Sequence, residues 1–124
     1  DALLQCYQSC PDNAAGIMLD PLCGAIQDIE THETAFIHRD ASFVCSITGV
    51  TLPDQDNTKV IDWVNQTYER LSPFFNGHAY QNYDMGNDCP LTSYFGHHVE
   101  RLIALKKKYD PQLRFAGSLQ RDLQ

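Results

Sequence analysis

Two helical stripes set against very little strand constrain this chain most. From Thr58 to Leu71 the residues Val60, Ile61, Val64, Tyr68 and Leu71 recur on one helix face, with Trp63 beside them. A second helix is predicted from about Ser93 to Tyr109, with Phe95, Val99, Leu102 and Leu105 roughly on one face; Asp110-Pro111 ends it. Lys106, Lys107 and Lys108 fall in its last turns, where the helix dipole favours cations. The best strand candidate is ASFVCSITGVTL, residues 41–52. There Phe43, Cys45 and Ile47 point one way and Ser42, Val44, Ser46 and Thr48 the other. A short extended run is predicted from Ala79 to Tyr83. Two strands do not make a self-sufficient sheet, and each helix stripe needs a surface to cover. The expected class is α+β, a partial sheet covered by helices, with the rest of a larger fold supplied from outside. Such a chain is not expected to fold stably alone.

The rest of the sequence narrows the setting. At 124 residues with 43% hydrophobic content the chain is long enough for one modest domain and too apolar for a disordered tail. A net charge of −7 argues against nucleic acid or an anionic membrane surface as partner. No apolar run is long enough to cross a membrane, and no signal peptide is visible. The chain begins at Asp1 rather than Met, which suggests a trimmed product or an expression boundary. Residues 1–17 are expected to be irregular, with SCPDNAAG as turn chemistry and Cys6 and Cys10 stapling a loop; LDP, up to Pro21, reads the same way. Five cysteines in so short a chain point to an oxidising compartment with one or two disulfides and at least one thiol left over. The triplet Asn65-Gln66-Thr67 is a glycosylation sequon lying off the apolar stripe, in keeping with secretion. Cys6 and Cys10 lack the second pair a zinc site needs. His97 and His98, adjacent on a helix, are expected to point in different directions. No metal site is expected.

The stretch HAYQNYD, His78 to Asp84, asks for an explanation. Packing accounts for one tyrosine. Tyr80 and Tyr83 with Asn82 between them need hydrogen-bond partners or a ligand. In an extended strand Tyr80 and Asn82 share one face and Tyr83 takes the other, so bringing both phenols to one cavity requires a twist or bulge.

An ordered set of motifs resembles the C-terminal part of berberine-bridge-enzyme-like flavoproteins, which are FAD-linked oxidases of the vanillyl-alcohol-oxidase type. The set is Ala35-Phe36-Ile37-His38-Arg39, Trp63, Tyr80-Gln81-Asn82-Tyr83, Tyr94-Phe95-Gly96, Arg101-Leu102, Lys106, and Tyr109-Asp110-Pro111 leading to Phe115. LDPLCGAIQDI resembles a segment just upstream, with Cys23-Gly24 where the family usually has two glycines. The likeness covers roughly residues 18–120.

This resemblance implies a two-lobed enzyme with FAD. Residues 18–124 would form the C-terminal part of a substrate lobe, a partial antiparallel sheet covered by helices. The segment at about 78–120 would return to the FAD lobe. The partner would be an N-terminal FAD-lobe chain of the same enzyme, joined after proteolytic nicking or as a separate subunit. Covalent flavin attachment in the family uses positions of that absent lobe. Tyr83 matches the family tyrosine that acts as base near the flavin. A phenol is a poor base at its ordinary pKa of about 10, and a site beside the flavin would let it accept a proton as hydride leaves. Tyr80 and Asn82 would line the flavin or brace Tyr83. Phe43, Cys45 and Ile47 would line the substrate cavity, with Cys45 where the family often has Glu or Gln. His38 and Arg39 would brace the lobe interface. The loop DMGNDCPLTS is shorter than usual, and AGSLQRDL replaces the usual ending. The implied reaction passes hydride from a sugar, alcohol or secondary metabolite to flavin N5 and reduces oxygen to hydrogen peroxide. The rivals are a flavin-dependent cyclase or isomerase, and a scaffold or binding module that has lost FAD.

Overall fold

The structure is a computed structural model, and it describes residues 1–11, 14–84 and 89–117. The central part of the shortened loop, residues 85–88, and the chain end, 118–124, lie outside the described residues. The chain divides into two compact units. Unit one is Asp1–Leu22 with Ala41–Asn76; unit two is Cys23–Asp40 with the chain from Gly77 onward.

Unit one holds α1 (Ala2–Gln8), β1 (Ala15–Pro21), β2 (Phe43–Gly49) and α2 (Thr58–Leu71). The alternating run becomes β2 as expected. Its partner β1 falls inside the stretch expected to be turns. The two strands pair antiparallel, with Ile17 opposite Ile47, Leu19 opposite Cys45 and Pro21 opposite Phe43. Ala-Gly-Ile-Met-Leu has no alternation, so only pairing with a distant strand marks it as one. Residues 1–17 are not irregular either, since α1 and the start of β1 fall there.

No disulfide staples that region. Cys6 is buried and its carbonyl accepts the Trp63 indole N–H at 3.0 Å. The Cys10 thiol donates to the Ala15 carbonyl at 3.2 Å. Among the described residues there is no disulfide at all.

The buried face of α2 is rotated from the expected stripe. Val60, Trp63, Thr67 and Leu71 are buried, while Ile61 and Tyr68 are 48% and 58% exposed. Trp63 accounts for the shift: seating its large ring and bonding its N–H to α1 turns Ile61 and Tyr68 outward. Tyr68 then meets Phe75 instead, with ring centres 5.8 Å apart. Gly49 closes β2 against α2, because a Cβ there would stand 2.6 Å from Val60 Cγ1. Asn65 is exposed on α2.

Unit two holds α3 (Leu91–Phe95) and α4 (Val99–Tyr109), with 3-10 turns at Gly24–Ile26, Gln81–Tyr83 and Gly96–His98. The single helix expected from Ser93 to Tyr109 is broken at Gly96, whose φ of 50° and ψ of −125° leave helical space. Ile37 lies against that break; a Cβ on Gly96 would come 3.3 Å from Ile37 Cδ1. Arg39 ties its own loop together. Its guanidinium donates to the Ile26 carbonyl at 2.8 Å and the Thr34 hydroxyl at 2.7 Å, and lies 4.8 Å from the centre of the Phe36 ring. His98 is buried with Nε2 2.8 Å from the Thr31 carbonyl. Its ring lies 4.0 Å from that of His97, so the two histidines do not diverge as expected.

Asp110 finishes α4. Its carboxylate accepts from the Arg114 N–H at 2.8 Å and the Phe115 N–H at 3.1 Å, and pairs with Lys106 at 2.5 Å. The Lys106 bond, with the two backbone donors, holds the Asp110 carboxyl below its usual pKa. The Asp-Pro-to-Phe motif is thus a chain reversal just past α4, one acid accepting the backbone N–H groups of the residues that follow the helix. No residue of α4 is buried within this chain, and Leu105 is 39% exposed.

Candidate functional site

The run expected to be a short strand through Tyr80 and Tyr83 is a 3-10 turn, Gln81–Tyr83, with Tyr80 as its N-cap. That difference resolves the tyrosine problem. Side chains at i and i+3 eclipse in 3-10 geometry, so Tyr80 and Tyr83 come together where a strand would separate them. Their rings meet edge to face with centres 5.1 Å apart. The Tyr83 N–H donates to the Tyr80 carbonyl at 2.9 Å. Asn82 Nδ2 donates to the Tyr80 hydroxyl at 2.9 Å. Tyr80 is half-buried, Asn82 is exposed, and Tyr83 is 45% exposed.

Aromatic rings back this turn. Phe36 and His38 lie 6.0 and 6.2 Å from the Tyr80 ring, both edge-on. His78 lies 6.0 Å from His38. Burial lowers the His38 pKa first and the charge of His78 lowers it further, while Asp40 and a hydrogen bond with the Ala79 backbone oppose both. The ring is therefore held towards its neutral form. Both ends of the turn are tied to α3. Before it, the Ala79 N–H donates to the Ser93 carbonyl at 3.0 Å. After it, the buried Tyr94 hydroxyl donates to the Asp84 carboxylate. Burial first, and the Asp84 bond and charge second, push the Tyr94 phenol up to about 12, so it remains a donor through the neutral range.

The structure thus brings Tyr80, Asn82 and Tyr83 together, and it adds Phe36, His38, His78, Asp84 and Tyr94, which sequence reasoning did not place there. The spacing of three between the tyrosines was the available signal for the turn. The strand face Phe43, Cys45 and Ile47 belongs to unit one. Phe43 is 56% exposed, and Cys45 and Ile47 are half-buried. Burial raises the Cys45 pKa and keeps it a neutral thiol. Among the described residues no group of three or more His, Cys, Asp or Glu is placed to hold a metal, and no helix is long and apolar enough to cross a membrane.

The turn thus presents the exposed Asn82 amide and the 45%-exposed Tyr83 beside a cluster of edge-on aromatic rings. The family model "Berberine and berberine like" matches residues 79–117, the span that holds the tyrosine turn, both its ties, α3, α4 and the Asp110 reversal. An FAD-linked oxidoreductase of Dictyostelium discoideum is 29% identical over 112 residues, covering 90% of this chain and 24% of the relative. The FAD-linked oxidoreductase sorD of Penicillium rubens is 35% identical over 99 residues, covering 73% of this chain and 20% of the relative. The structure of BBE-like 1 from Physcomitrella patens superposes with a TM-score of 0.74 at 28% identity, over 94% of this chain and 25% of that one. A glycopeptide hexose oxidase solved with teicoplanin shares the fold, with a TM-score of 0.71 at 22% identity over 96% of this chain and 29% of that one. Over these spans the chain is similar to berberine-bridge-enzyme-like FAD-linked flavoproteins, and it spans about a fifth to a quarter of the length of the relatives it matches.

Proposed function

We propose that this chain forms part of an FAD-dependent oxidase in which Tyr83 accepts a proton from the substrate. The observation that carries the reading is the 3-10 turn, which aligns Tyr83 with Tyr80 and leaves the Tyr83 phenol and the Asn82 amide accessible. These residues fit a flavin ring: Tyr80 offers an aromatic edge and Asn82 an amide beside it, so these two would hold the cofactor. FAD, when bound, supplies the two-electron acceptor for a hydride leaving a substrate C–H bond. Tyr83 in its phenolate form takes the proton of the substrate hydroxyl at Oη and becomes the phenol. The substrate, a sugar, alcohol or secondary metabolite, leaves as the carbonyl compound. Oxygen receives the two electrons and, with two protons, becomes hydrogen peroxide.

The reading places an N-terminal FAD-lobe chain of the same enzyme beside this one. The exposed position of Asn65 supports glycosylation and a secreted location. Cys45, kept as a thiol, is not a second base. That favours one rival, a scaffold without redox chemistry, and the absence of flavin absorbance in the purified full protein would establish it.

Tyr83→Phe tests the main reading because it keeps the ring and deletes the proton acceptor. Anaerobic rapid mixing of the flavin-loaded protein with substrate should show reduction slowed about 10²- to 10⁴-fold, the usual span for a positioned acid–base group. Reoxidation by oxygen should barely change. Reduction at the wild-type rate would remove Tyr83 from the mechanism.

A further inference from the structure

We propose that Asp84 and Tyr94 are positioning residues for Tyr83: the hydrogen bond from the α3 phenol to the carboxylate that follows Tyr83 fixes where the Tyr83 hydroxyl stands. The inference rests on the reading of Tyr83 as proton acceptor and extends it. A 3-10 turn this short has poor hydrogen-bond geometry of its own. Bonds within the turn include Tyr83 N–H to Tyr80 carbonyl at 2.9 Å and Asp84 N–H to Gln81 carbonyl at 3.3 Å. The Tyr83 residue is 45% exposed, so burial contributes little to fixing it.

The turn is held from its two ends. Its head is tied by Ala79 to Ser93 and its tail by Asp84 to Tyr94. Ser93 and Tyr94 are neighbours on α3, so one helical turn grips both ends. That helix is itself anchored, with Leu91 at 5% and Tyr94 at 2% exposure. A phenol donating to a carboxylate is a charge-assisted bond, stronger than a neutral pair. Releasing the tail would let Tyr83 rotate away from Tyr80, and a misplacement of about 1 Å in a reacting group can cost roughly 10²-fold in rate.

The test uses the flavin-loaded protein and three substitutions. Tyr94→Phe deletes the donor and Asp84→Ala the acceptor, while Asp84→Asn keeps an acceptor oxygen. Anaerobic reduction should slow about 10- to 100-fold in Tyr94→Phe and in Asp84→Ala. It should stay within about threefold of wild type in Asp84→Asn, and the double variant should be no slower than either damaging single change. Apparent substrate affinity should move less than about twofold in all of them, because binding is not what the clamp serves.

A readout independent of turnover is amide hydrogen exchange. Exchange at Ala79 and Tyr83 should quicken about tenfold in Tyr94→Phe, with α2 unchanged. Faster exchange with wild-type reduction would make the clamp merely structural and overturn the proposal; unchanged exchange would overturn it too. If Tyr94→Phe does not fold, the Asp84 pair decides, and equal rates for Ala and Asn sink the clamp. Tyr83→Phe separates the two ideas. Normal reduction there removes the proton-acceptor reading, whereas slow reduction there beside normal reduction in Tyr94→Phe removes only the clamp.

Discussion

The two units are held by different forces. Unit one depends on burial: Cys6, Val60, Trp63 and Leu71 are each under a tenth exposed, around a two-stranded ladder. Unit two also buries Ile37, Leu91 and Tyr94, but its short turns and broken helix are closed by polar groups. Arg39 closes one loop, His98 meets the Thr31 carbonyl, Asp110 closes the reversal past α4, and Asp84 with Tyr94 closes the tyrosine turn. The difference suits what each must present. An apolar core hides its side chains, whereas Asn82 and Tyr83 are exposed on a turn whose ends are bonded to α3. Hydrogen bonds at the ends of a turn fix a side chain without burying it.

The largest expected effect breaks the burial side of this comparison. Trp63→Ala removes a buried indole and should cost about 3–5 kcal/mol, as other buried aromatic truncations do. Exchange of the α1 and α2 amides in the full protein would measure it. Trp63→Phe sharpens the point by keeping most of the volume and deleting the N–H. If burial dominates, the phenylalanine variant should lose only about 1–3 kcal/mol, mainly the unsatisfied Cys6 carbonyl. Equal losses in the two variants would put the hydrogen bond, not the packing, in charge of unit one.

A smaller effect belongs to the backbone of unit two. Gly96 joins α3 to α4 at φ 50° and ψ −125°, and a Cβ there would stand 3.3 Å from Ile37 Cδ1. Gly96→Ala should cost about 1–3 kcal/mol through that strained conformation. Chemical denaturation of the full protein monitored by exchange at α3 and α4 checks this. A variant as stable as wild type would mean that the break is not needed, and the continuous helix suggested by the sequence would be available after all.

That helix shows what sequence could and could not disclose. β2 and α2 were legible because periods of two and about 3.6 are written in consecutive residues. β1 was not, since Gly16, Ile17, Met18 and Leu19 make a strand only by pairing with residues near Cys45. The face of α2 was misjudged because apolar spacing ranked Tyr68 above Thr67, while the seating of Trp63 decided otherwise. At the site, Tyr80, Asn82 and Tyr83 stood out by chemical type, but alternation was the wrong geometry for them. Their true relation, three residues apart on a 3-10 turn, follows from how the flanking chain is tied to α3. The Asp84–Tyr94 bond spans ten residues, and no local pattern announces it.

The smallest expected effect concerns acid and the rings behind Tyr80. His38 is buried among Phe36, Tyr80 and His78, with Asp40 the acidic group acting on it. Burial comes first and His78 second in lowering its pKa. In the unfolded chain its pKa returns to about 6.5. Below that value the unfolded state binds more protons at this site than the folded one, so stability rises with pH across the window. The contribution of neutral His38 is therefore complete above about pH 6.5 and declines as pH falls towards the lowered folded value. Because Ala79 and Tyr80 adjoin this ring, the tyrosine turn should feel the loss. Exchange protection at Ala79 and Tyr83, corrected for intrinsic rates, should be weaker at about pH 5.5 than at about pH 7.5. His38→Gln cannot titrate and should flatten that dependence. His78→Gln should only reduce it, since a second charge would no longer oppose protonation. If His38→Gln keeps the wild-type slope, the acid sensitivity of the turn has another source, and the histidine behind Tyr80 is packing alone.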